Sequence, residues 1–66
     1  MAELGEELRR ERVRRNLTFK DIEQVLHIKT TYLEAIEDGN YAVIPGRVYA
    51  KGFIRNYGNY IGLDGD

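Results

Sequence analysis

The sequence predicts a small all-α domain of four to five short helices. Three observations lead there. Apolar residues recur three and four apart in several stretches, the spacing that lines one face of a helix. Residues that start and stop helices punctuate those stretches at short intervals. The chain has 66 residues and no cysteine, so neither a disulfide nor a thiolate metal site can staple it, and compact helix packing must suffice.

Residues 3–15 read as the first helix. Leu4 and Leu8 lie one turn apart, and Val13 extends their face. Glu3, Glu6 and Glu7 stand near its start and arginines near its end, which complements the helix dipole. Asn16 can take the left-handed conformation that ends the helix, with Leu17 packing back onto Leu8. Thr18 is a good N-cap, and Asp21 three residues later makes a near capping box. The second helix then runs to about Leu26 with Phe19, Ile22, Val25 and Leu26 as apolar positions. His27 occupies a short turn anchored by Ile28. Thr30 is the expected cap of a third helix over 31–38, with Leu33 and Ile36 inward and Tyr32 beside them. Gly39-Asn40 is a stop and turn signal.

The stretch 41–63 is the most distinctive part of the chain. It holds the only proline, four of the five tyrosines and three cations, and no acidic residue lies between Asp38 and Asp64. Tyr41 to Ile44 form a partly apolar connection to Pro45-Gly46, which opens the last helix. Ala50, Ile54, Tyr57 and Ile61 share one helical face suited to burial, and Gly62 supplies a C-terminal cap. A second stripe of Tyr49, Phe53 and Tyr60 lies roughly 70–100° around the same helix, at about 100° per residue.

Composition narrows the function. Residues 1–66 form a single domain with one core, and at this size only about 60% of the unfolded surface is buried. The absence of cysteine fits a reducing compartment. No apolar run reaches the roughly 20 residues of a membrane span, and no signal-peptide core is present. Net charge is −1, which argues against strong nonspecific nucleic-acid binding. There is also no serine, so a nucleophile–base constellation cannot be assembled from the usual parts, and we expect no enzyme, no catalytic residue and no cofactor. His27 is the only histidine and has no second soft ligand beside it, so we expect a turn residue and no metal. The acidic end Asp64–Asp66 reads as the start of a tail, so the chain is expected to be a fragment of something longer.

Two short helices joined by a three- to four-residue turn, inside such a cluster, make a helix-turn-helix, with a generic helical bundle as the other reading. The residues 4–28, LGEELRRERVRRNLTFKDIEQVLHI, resemble the opening of the repressor-like helix-turn-helix family, the lambda-repressor or Xre type. The residues 32–64 resemble one branch of it, the cytoplasmic N-terminal domain of RodZ-like bacterial cell-shape proteins. That branch carries Tyr-Leu-x-x-Ile-Glu, an acidic-Gly turn, Pro-Gly, then Tyr-x-[Arg/Lys]-Gly-Phe-[Ile/Leu]-Arg-x-Tyr. Here Tyr32, Leu33, Ile36, Glu37, Gly39, Pro45, Gly46, Tyr49, Lys51, Gly52, Phe53, Ile54, Arg55 and Tyr57 meet the pattern. The resemblance covers nearly the whole chain, and its second half is the more specific. It implies a repressor-like fold on the cytoplasmic face of the bacterial inner membrane. It also implies a membrane span and an extracytoplasmic domain absent from this chain. The implied partner is the actin-like filament protein MreB, met through the last helix and neighbouring residues of helix two, in a cytoskeletal role in cell shape. It further implies an ion pair between Arg12 and Glu37. DNA-binding relatives favour a small residue in mid helix two and glycine in the turn, where this chain has Glu23 and His27.

Two surfaces are therefore candidate sites. The first is Tyr49, Phe53 and Tyr60 with Lys51 and Arg55, which combine apolar area with cations as protein interfaces do. The bland reading is that some of these rings complete the domain's own core. The second is a DNA-reading third helix, presenting Lys29, Thr30, Thr31, Glu34, Ala35 and Asp38. Lys29, Thr30 and Thr31 could reach phosphates or bases, but Glu34 and Asp38 would meet phosphate as like charges. A solvated face explains it as well. The arginines of helix one are interleaved with Glu6, Glu7 and Glu11, so intrahelical pairing accounts for them. Any DNA binding is expected to be weak and electrostatic.

Overall fold

Leu8, Ile22, Leu33, Ile36, Tyr57 and Ile61 are fully buried, and the helices are arranged around them. The computed structural model describes residues 4–62, and among these it is all-helical. The elements are α1 (Leu4–Arg14), α2 (Phe19–Leu26), α3 (Thr30–Asp38), a 3-10 turn (Tyr41–Val43) and α4 (Arg47–Ile61). α3 is central: α1 and α2 both pack on it, and α4 closes over α1. The expected start of the first helix at residue 3 and the tail from Asp64 lie outside the described residues.

Local chemistry sets each boundary. Asn16 ends α1 at φ 60°. The Thr18 side chain accepts from the Asp21 N–H at 3.1 Å while the Thr18 N–H donates to Asp21 Oδ2 at 2.9 Å, a complete capping box. Those bonds hold the Asp21 carboxyl below its ordinary range. His27 adopts φ 58°, and its N–H donates to the Glu23 carbonyl at 2.7 Å. Gly39 and Gly62 cap α3 and α4 in left-handed conformation.

The structure corrects four expectations. Lys29, not Thr30, is the N-cap of α3, and no side chain caps it; Thr30 is the first helical residue and is half-buried. Ala35 does not face outward: it is buried where α3 packs on its neighbours. Val13 does not extend the buried face of α1 and is 60% exposed, and Val25 is likewise exposed. Apolar spacing identifies a helix face, but only the crossing of neighbouring helices decides how far along that face burial extends.

Gly5 marks one such crossing. A Cβ there would fall 2.7 Å from the Ile36 carbonyl oxygen and closer still to that of Glu37. The first turn of α1 therefore rests directly on the last turn of α3, a fit that only glycine permits.

Candidate interaction face

The site is built on α4, and a buried polar cluster fixes that helix in place. Glu37, at the end of α3, is buried. Arg12 reaches it from α1 with two bonds, Nε to Oε2 at 2.7 Å and Nη2 to Oε1 at 3.2 Å. A third bond from Arg12 Nη1 satisfies the Leu17 carbonyl at 3.1 Å. The guanidinium also lies 4.2 Å from the centre of the Phe19 ring, a cation–π contact. From α4, the Tyr57 hydroxyl donates to Glu37 Oε2. One carboxylate thus joins three helices. Its bond to Arg12 holds the guanidinium pKa above its ordinary value. Burial, then the bond to Glu37, pushes the Tyr57 hydroxyl well above its ordinary 10.0. The Arg12–Glu37 contact has its sequence signal in the family resemblance. The Tyr57–Glu37 bond was missed. Its signal is a polar-tipped ring on the buried face of α4, which requires a partner inside.

From this fixed point the rest of α4 projects its side chains in rows. Tyr57 and Ile61 are buried, while Ala50 and Ile54 are half-buried on the same face. Tyr49 is 62% exposed. Phe53 and Tyr60 are half-buried and pack against the core, so these two rings serve the fold as well as the surface. Phe53 stacks between two tyrosines: its centroid is 6.2 Å from Tyr49 and 5.8 Å from Tyr32, with interplanar angles of 28° and 20°. The aromatic run therefore crosses from α4 onto α3, where Tyr32 joins the set that sequence reasoning confined to one helix. Lys51 and Arg55 are exposed, two residues beyond Tyr49 and Phe53, hence about 200° further round the helix. Rings and cations lie on different sides of α4.

The outward face of α3 has another character. Lys29, Thr31, Glu34 and Asp38 are exposed. Lys20, Glu23, Gln24, His27 and Lys29 line a shallow cleft of about 570 Å³ at the turn, in which the Glu23 carboxylate offsets the two lysines. On α1, Glu11 bonds Arg14 at 2.8 Å and Arg15 at 3.4 Å. The bond to Arg14 chiefly holds the Glu11 carboxyl below its ordinary range. Intrahelical pairing therefore absorbs part of the basic run of α1.

A four-helix arrangement with α2 and α3 joined by a short turn defines a helix-turn-helix domain. The family model described as a helix-turn-helix domain matches residues 7–66, and the chain belongs to that family. Among curated proteins, it is similar to the uncharacterized membrane protein YmfM of Bacillus subtilis (strain 168), 40% identical over 50 residues. The match covers 76% of this chain and 17% of YmfM, so the chain spans about a sixth of that relative's length. No solved structure matches. No described helix is long and apolar enough to cross a membrane.

Proposed function

We propose that this domain is the cytoplasmic part of a RodZ-like membrane protein. It acts there as an adaptor that binds the actin-like filament protein MreB and links it to the membrane-bound cell-shape machinery. The observation that carries the proposal is the Tyr49–Phe53–Tyr32 run. It presents a largely exposed ring on a helix held rigidly from behind, the kind of pre-ordered aromatic anchor that dominates interfaces. The membrane relative and the motif over residues 32–57 support the same reading. The alternative, an Xre-type DNA-binding regulator, would use α3. Its outward face carries Glu34 and Asp38, which repel phosphate, and Ala35 is withdrawn into the core.

The test is a co-sedimentation of the domain with polymerised MreB beside a DNA mobility shift, both at physiological salt. Binding to the filament at micromolar protein is expected, with DNA affinity that is weak and falls steeply as salt rises. A sequence-selective shift at nanomolar protein would replace the adaptor reading with the regulator.

A further inference from the structure

The cations of α4 lie apart from its rings and have neighbours of another kind. At about 100° per residue, Arg47, Lys51, Arg55 and Val48 fall within an arc of roughly 100°, while Tyr49 and Phe53 fall beyond it. All four side chains on the arc are exposed, Val48 to 81%. The 3-10 turn continues this side, because Tyr41, Ala42, Arg47 and Ala50 line a shared shallow hollow of about 390 Å³. Tyr41 and Val43 on that turn are also exposed. Ile44 is buried behind them, and its N–H donates to the Tyr41 carbonyl at 3.0 Å, so the turn is held in place from within.

Charge and apolarity together point to what covers this surface. No acidic residue lies between Asp38 and Asp64, and among the described residues neither Arg47 nor Lys51 forms an ion pair. The basic run of α1 differs, since Glu11 pairs with Arg14 and Arg15. Positive charge is therefore left standing beside apolar side chains that the core does not take up. A nucleic-acid backbone would use the cations but gain little from Val43 and Val48. A layer of anionic headgroups over an apolar interior uses both. Its phosphates meet the cations, while small apolar side chains and a tyrosine settle at the boundary.

We infer that the 3-10 turn and the basic side of α4 rest on an anionic lipid surface, with the Tyr49–Phe53–Tyr32 run turned away from it. The inference rests on the membrane-tethered part of the preceding reading. An arginine or lysine close to an anionic leaflet favours the bound state by about fivefold, and the effect fades within a Debye length. Two or three such cations hold a free domain weakly. A tethered domain is already concentrated at that surface, so the same contacts decide which of its sides faces the lipid.

Val48→Trp tests this with a single reporter, because the chain has no tryptophan of its own. The probe is a vesicle of equal parts phosphatidylglycerol and phosphatidylcholine at low salt. The variant should sediment with these vesicles, and its emission should shift to the blue. Vesicles of phosphatidylcholine alone should bind it roughly tenfold more weakly or worse, and salt should weaken the anionic binding. Val13→Trp, exposed on α1, should sediment alike while its emission stays put. Arg47→Gln combined with Lys51→Gln should cut vesicle binding by roughly tenfold or more at an unchanged melting temperature, since both side chains are exposed. A parent chain that ignores the anionic vesicles, or a double variant that binds them equally well, would overturn the inference. A blue shift confined to Val13→Trp would put α1 on the lipid instead. A DNA duplex of random sequence that displaces the vesicles at equal phosphate concentration would make this a nucleic-acid surface, and would also overturn it. Filament binding is read separately. If the parent binds MreB but not the vesicles, this inference falls and the adaptor reading stands. If it binds the vesicles through Val48 but not MreB, the lipid contact stands and the adaptor reading falls.

Discussion

From Ile54 to Ile61, α4 is held from inside: Tyr57 and Ile61 are fully buried, and the Tyr57 hydroxyl donates into the carboxylate that also receives Arg12. From Arg47 to Phe53 the same helix leaves Val48 and Tyr49 largely exposed, and its deepest side chains, Ala50 and Phe53, are only half-buried. One continuous helix thus has an end that belongs to the core and an end that belongs to the surface. The first end fixes rotation about the helix axis, and the second presents side chains whose positions that rotation decides. Stability and binding should therefore separate along α4.

The largest test of this division is Glu37→Ala. It would strip a buried carboxylate from both Arg12 and Tyr57, leaving a guanidinium only 15% exposed without its counter-charge. The expected loss is roughly 3–5 kcal/mol. The whole stability of a 66-residue domain is only roughly 3–10 kcal/mol, so urea denaturation should find the variant unfolded or nearly so. Loss below about 1 kcal/mol would show that the cluster does not hold α4.

Tyr57→Phe is gentler, removing one hydroxyl that bonds a charged acceptor. We expect a loss of roughly 1.5–3 kcal/mol, read from the urea midpoint. The parent should also weaken in base. The Tyr57 hydroxyl has a folded pKa raised above its ordinary 10.0, so its contribution is complete below pH 10 and is lost as pH climbs toward the folded value. Tyr57→Phe should flatten that part of the stability–pH profile, and an unchanged profile would assign the alkaline loss to other groups.

At the surface end the pattern should invert. Tyr49→Ala should weaken filament binding by about 1–3 kcal/mol, within the range of interface anchors. Its effect on folding should stay below about 1 kcal/mol, the scale of one exposed stacking contact. Phe53→Ala should move both readings, since that ring touches the core and both tyrosines. If Tyr49→Ala unfolds the domain, the division drawn along α4 is misplaced.

The smallest effect lies away from α4. His27 holds a left-handed conformation that glycine accepts more readily, so His27→Gly should stabilise the domain by about 0.5–1 kcal/mol without altering filament binding. A lower melting temperature for that variant would mean that the imidazole contributes contacts outweighing the strain.

What was legible in the sequence was local. Asn16, the Thr18–Asp21 box, Gly39 and Gly62 announce helix ends because capping depends on residues within four positions. The inward faces of α3 and α4 followed from spacing. Val13, Val25 and Ala35 were misread because their burial depends on how helices cross, which no single helix encodes. Thr30 was misread as a cap because Lys29 takes that position without using its side chain. The Tyr57–Glu37 bond and the Tyr32–Phe53 stack join residues 20 and 21 positions apart on different helices, beyond the reach of a periodic pattern.

The carboxylate of Glu37 has a consequence for how the chain assembles. Its partners come from positions 12 and 57, so no two helices can complete it between them. A species with α1 docked on α3 but α4 adrift leaves Tyr57 outside and opens the ion pair to water. One with α4 docked and α1 adrift buries a charge with no cation. Each half-assembled form is penalised by the same group, which widens the gap between the folded state and everything partial. Backbone circular dichroism and tyrosine fluorescence should accordingly report one coincident unfolding transition, with no separate melting of the last helix.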